Sequence, residues 1–70
     1  MKQAKKKARY AIGKRIAELR KERGVSQTQL ADAIGMAQPN LANIEAGRYS
    51  TTIDVLERIA DALGAKLDLS

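Results

Sequence analysis

Neither cysteine nor histidine occurs anywhere in this chain of 70 residues, so side-chain packing alone has to hold it together. A disulfide framework and a thiolate zinc site are both excluded, and these are the usual supports of so small a domain. The commonest neutral-pH base, proton shuttle and metal ligand is missing as well. A domain this short buries only about 60% of its unfolded surface, so its stability margin is narrow. What remains is an aliphatic core. Hydrophobic residues make up 44%, while aromatics are only 3%, with no Phe or Trp. The expectation is a compact all-α domain steadied by self-association, with no metal and no cofactor. A conventional enzyme is not expected: Ser26, Ser50 and Ser70 have no histidine partner, and no phosphate-cradling glycine motif or metal-ligand cluster appears.

The net charge of +5 is unevenly spread. Residues 1–23 hold ten Lys or Arg against two Glu, a net of +8, whereas residues 24–70 hold three against six acids, a net of −3. A basic segment beside a nearly balanced body suits a polyanion. No apolar run of about 7–15 residues follows the N-terminal lysines, so no secretory signal is expected. No window approaches the ~18 apolar residues of a membrane span. The expectation is a cytoplasmic protein. The rival from another class is a basic amphipathic module that lies on a membrane surface or binds a protein, because residues 2–23 are basic and partly amphipathic.

Residues 1–9 form either a separate basic arm or an extension of the first helix. Ile12, Ile16 and Leu19 recur at helical spacing, predicting a helix over about 10–23 that ends before Gly24. Ser26 and Gln29 fit a capping box, which starts a second helix with Leu30, Ala31 and Ile34 inward and Gly35 at its close. After a tight turn, Gln38-Pro39-Asn40 opens a third helix with Leu41 and Ile44 inward, ended by Gly47. Thr51 with Asp54 predicts the start of a fourth, whose stripe is Ile53, Leu56, Ile59, Ala60 and Leu63. Residues 10–64 thus make one domain. In residues 65–70, Leu67 and Leu69 alternate with Lys66 and Asp68, which reads as a short strand or a polar tail. A lone strand needs a ladder partner, and a second copy of the chain is the natural source.

Two short helices joined by a glycine-containing turn form a helix-turn-helix. Val25-Ser26-Gln27-Thr28-Gln29-Leu30-Ala31, then Ile34-Gly35-Met36, Leu41 and Ile44-Glu45-Ala46-Gly47, resembles the Cro and phage-repressor-like (Xre) helix-turn-helix family. The resemblance covers about residues 12–64. It implies a compact four-helix, lambda-repressor-like domain, of bacterial or phage origin, that binds double-stranded DNA as a transcriptional regulator, usually a repressor. In such a domain the third helix enters the major groove by its N-terminal turns. The outward positions of that helix are Ala37, Gln38, Asn40, Ala42 and Asn43.

By resemblance, Ala37, Gln38, Pro39 and Asn43 fall where relatives contact base edges. Ser26, Gln27, Asn40 and Arg48 fall where they contact phosphates. Pro39 lacks a donor, which weakens the carry-over at that position. Gln and Asn bind adenine bidentately and the third helix carries no Arg or Lys, so a preference for A·T pairs is expected. In the family the Glu45 position pairs with an arginine on the first helix, and Arg20 is the matching residue. Arg23, Lys21 and the N-terminal lysines add backbone attraction.

One such domain makes a small contact, so a homodimer on a near-palindromic operator is expected, with half-sites about 10 bp apart. Its interface is expected to use Leu63, Leu67 and Leu69. The tail after the fourth helix also resembles small antitoxins of the HipB and HigA kind, which implies a toxin protein as a further partner.

Overall fold

The computed structural model describes the backbone of residues 2–64 and the side chains of residues 8–64. Among the described residues there are four helices: α1 (Lys2–Glu22), α2 (Gln27–Ile34), α3 (Gln38–Glu45) and α4 (Ile53–Leu63). The first helix therefore begins at Lys2 rather than near residue 10. Lys, Gln, Ala and Arg are good helix formers, and no Gly or Pro occurs before Gly13. Once the apolar stripe has nucleated the helix, extending it backward through such residues is cheap.

The helix ends follow local chemistry. At the close of α1, Val25 N–H donates to Arg20 O at 3.0 Å and Gly24 N–H to Lys21 O at 3.1 Å, with Gly24 at φ 67°. At the start of α2 the capping box is complete: Gln29 N–H donates to Ser26 Oγ at 3.0 Å, and Ser26 N–H to Gln29 Oε1 at 2.8 Å. Pro39 stands in the first turn of α3, whose cap residue Ala37 supplies no side-chain acceptor. The cap of α4 is Thr52, one residue later than Thr51. Its Oγ1 accepts the Val55 N–H at 3.2 Å. Two adjacent threonines offer the same chemistry, and the later one caps the helix observed.

Ile16 and Leu19 from α1, Leu30, Ala31 and Ile34 from α2, Leu41 and Ile44 from α3, and Leu56, Ile59 and Leu63 from α4 form the core. Ile12, Val25, Met36 and Val55 pack against it. Two expectations change here. Ile53, placed on the inner stripe of α4, is 65% exposed, because it stands at the first position of the helix, one turn before the core begins. Leu63, expected at a dimer surface, is 4% exposed; it fills this chain's own core instead. Leu67, Leu69 and the short strand lie outside the described residues.

α1 packs chiefly on α3, and α2 on α4. Gly13 makes the first approach possible. A Cβ at that position would collide with the carbonyl oxygens of Ile44 and Glu45 at the C-terminal end of α3. A glycine inside a helix costs about 0.5–1 kcal/mol relative to alanine, and here the missing side chain lets two backbones touch. Gly47 serves a related purpose. It turns the chain out of α3 at φ 76°, and an added Cβ would strike Tyr10.

Candidate nucleic-acid interface

α2 and α3, of eight residues each, are separated by residues 35–37. That turn is held tightly. Gly35 takes φ 70°, Met36 N–H donates to Ala31 O at 2.9 Å, and Met36 packs against the core. Leu41 and Ile44 anchor the inner face of α3. Ala37, Pro39 and Asn40 are exposed, while Gln38, Ala42 and Asn43 are half-buried. The face proposed to read bases is therefore accessible, and its backbone is fixed by the core beneath it.

Behind that face runs a chain of polar side chains. Arg20 donates from Nε to Glu45 Oε2 at 2.9 Å and from Nη2 to Glu45 Oε1 at 3.0 Å. A third donor, Nη1, reaches Val25 O at 3.0 Å. The Arg20 and Glu45 side chains are only 12% and 7% exposed. The hydrogen bond to Glu45, reinforced by its charge, raises the Arg20 pKa above its ordinary value despite partial burial. Glu45 is the only acid on α3. Paired in this way it presents no free negative charge to a polyanion. The ion pair implied by the family resemblance is present, with the bidentate geometry that gives arginine–carboxylate pairs their strength.

The sequence did not disclose three further links. Gln27 Nε2 donates to Glu45 Oε1 at 3.1 Å, and Gln38 Nε2 donates to Gln27 Oε1 at 2.6 Å. Arg48 Nη1 donates to Asn43 Oδ1 at 3.3 Å. The last two links each join a residue expected at a phosphate to one expected at a base, while the first ties Gln27 to the ion pair. Gln27 and Gln38 are the first residues of their helices, 11 positions apart, and only the crossing of α2 over α3 brings them together. Ser26 and Arg48 are exposed at opposite ends of the unit. The Ser26 oxygen accepts the Gln29 amide as the α2 cap, which leaves its hydroxyl proton free to donate.

The exposed cations Lys14, Arg15 and Lys21 lie along α1 beside the exposed Glu18 and Glu22, with Arg23 just past its end, while α4 carries the exposed acids Asp54, Glu57 and Asp61 and the exposed Arg58. Of these acids, Asp54 is bridged to Arg58 at 3.0 Å. Among the described residues, α1 is thus richer in exposed cations and α4 in exposed acids. No described helix is long and apolar enough to cross a membrane.

A short helix, a three-residue turn and a second short helix with an accessible polar face, braced by a third helix, define a helix-turn-helix domain of the lambda-repressor-like kind. The helix-turn-helix family model HTH_3 matches residues 16–69, and the chain belongs to that family. Over 56 residues it is 41% identical to the immunity repressor protein of Bacillus phage phi105, covering 80% of this chain and 39% of that protein. The chain thus spans about two fifths of that relative's length. It is 43% identical over 49 residues to an HTH-type transcriptional regulator of Methanothermobacter thermautotrophicus, covering 70% of this chain and 71% of that one. Among solved structures, the clp gene regulator ClgR of Corynebacterium glutamicum superposes with a TM-score of 0.84 at 30% identity, over 86% of this chain and 77% of that one.

Proposed function

We propose that this chain is a sequence-specific duplex-DNA-binding transcriptional repressor that acts as a homodimer on a near-palindromic operator. The observation that carries the reading is the pairing of phosphate-side and base-side residues, Gln27 with Gln38 and Arg48 with Asn43. On a duplex such pairs let a backbone contact fix the register of a base contact. α3 enters the major groove by its first turns, with Gln38 and Asn43 on base edges and Ala37 and Pro39 against the groove wall. Ser26, Gln27, Asn40 and Arg48 face phosphates. The relatives named as an immunity repressor and as transcriptional regulators support the same reading.

The dimer follows from the size of the contact. A single module of this kind covers roughly 600–1,000 Å², at the low end for specific binding. Two-fold symmetry then places half-sites about 10 bp apart. Leu67 and Leu69 remain the residues assigned to the contact between copies. The membrane-surface alternative loses its basis, because Ile12, Ile16 and Leu19 of α1 face the core.

Selection of preferred duplexes from a random pool by the full chain tests the reading. An enriched inverted repeat with A·T pairs beneath α3 is expected. Recovery of no motif at any ionic strength contradicts it.

A further inference from the structure

A cleft of about 320 Å³ opens where α1 passes the end of α3 and the loop that follows it. Arg9 and Ile12 of α1, Ile44 of α3, and Tyr49, Ser50 and Thr51 of the loop line it. A small cleft with a mostly apolar wall and a few polar groups is the usual form of a small-molecule site. Two of the lining residues hold buried polar atoms, Arg9 Nε and Thr51 Oγ1, that find no hydrogen-bond partner among the described residues. Buried polar atoms are nearly always paired, because leaving one without a partner costs stability. The Thr51 hydroxyl is not spent on capping α4, since Thr52 performs that task. Among the described residues, Arg9 is also the only charged one that lines the cleft.

We propose that this cleft binds a small organic monocarboxylate with a compact apolar body, its carboxylate held by Arg9 and Thr51. Such a site goes beyond the DNA reading and does not rest on it. A guanidinium only donates and cannot lose its proton, so whatever completes Arg9 Nε must be an acceptor. A threonine hydroxyl donates as readily as it accepts. A carboxylate has two oxygens to take the two donors, and its charge makes such hydrogen bonds roughly twice as strong as neutral ones. One guanidinium offsets one negative charge, which favours a carboxylate over a doubly charged phosphate. Ile12, Ile44 and the Tyr49 ring then receive the body of the ligand, and apolar surface on both sides leaves water. An uncharged apolar molecule would leave Arg9 without an acceptor. A bare ion would leave the apolar wall wet.

Benzoate titrated into the isotope-labelled full chain, followed by NMR, supplies the test. Amide shifts centred on Arg9, Ile12 and residues 49–51 are expected, saturating with a Kd of about 1 mM or tighter. Arg9→Met keeps an apolar stem and removes the guanidinium, while Thr51→Val keeps the shape and removes the hydroxyl. Each is expected to weaken benzoate binding about tenfold or more. Both residues lie outside the core, and circular dichroism checks that the variants fold. Two comparison ligands on the wild type keep the test open should either variant unfold. Benzyl alcohol carries the ring without the charge, and inorganic phosphate carries charge without the ring. Both are expected to bind at least about tenfold more weakly than benzoate. Shifts that do not saturate, that map elsewhere, or that persist unchanged in Arg9→Met overturn the proposal. Benzyl alcohol binding as tightly as benzoate overturns it as well, since the cleft would then be an apolar one only. Phosphate binding as tightly overturns the assignment to a carboxylate with an apolar body.

Discussion

Arg20 grips Glu45 through both carboxylate oxygens, at 2.9 and 3.0 Å, across 25 residues of sequence. The pair ties the C-terminal end of α1 to the C-terminal end of α3. Arg20→Ala leaves a nearly buried carboxylate with a single neutral donor, Gln27. Removing one partner of a buried pair costs about 3–5 kcal/mol, and this pair, slightly exposed, belongs at the lower end. For a domain of this size that is a fall in Tm of roughly 12–24 °C. Thermal unfolding by circular dichroism checks it, and an unchanged Tm would show that the pair contributes nothing.

Gly13→Ala sets two effects against each other. Alanine gains about 1 kcal/mol of helix propensity. Its Cβ, however, meets backbone oxygens of α3, which cannot move aside as a side chain can. Overpacking of this kind costs about 1–3 kcal/mol, and backbone contact places it at the top of that range. A net loss of about 1–2 kcal/mol is expected in urea unfolding. A stabilised variant would mean that α1 and α3 do not approach as described.

Much of this architecture was legible in the sequence because its determinants are local. Ser26 and Gln29 sit three residues apart and cap each other, so the start of α2 needs no tertiary information. Leu41 and Ile44 repeat at helical spacing, so the inner face of α3 is visible as well. The start of α1 was not, since Lys2 to Arg9 suits a helix by propensity without showing a face. Leu63 was misplaced for a related reason: periodicity marks a residue as apolar-facing without saying whether its own core or a partner receives it. The Gln27–Gln38 link was out of reach, because it exists only once two helices cross.

Arg48 and Gln38 are expected to fail differently. Arg48→Ala is expected to remove a phosphate contact and to weaken all duplexes about equally. If about six phosphates are neutralised by the dimer, the log–log salt slope is about −5.4, and losing two contacts brings it to about −3.6. An unchanged slope would remove Arg48 from the backbone contacts.

Asn43→Ala is expected to lose base preference at one pair of each half-site, by about 1–3 kcal/mol, with the salt slope retained. Arg48, which donates to Asn43 Oδ1, links the two residues. The double variant is therefore expected to lose less than the sum of the single losses. Competition gel shifts against single-base operator variants measure both.

The central claim is that the outward face of residues 38–43 reads bases in the major groove. Replacing adenines of the selected operator one at a time by 7-deazaadenine removes the N7 acceptor and leaves Watson–Crick pairing intact. The account predicts a loss of roughly fivefold or more at the adenine beneath Gln38, and no such loss in Gln38→Ala. Equal wild-type affinity for every substituted operator would contradict it.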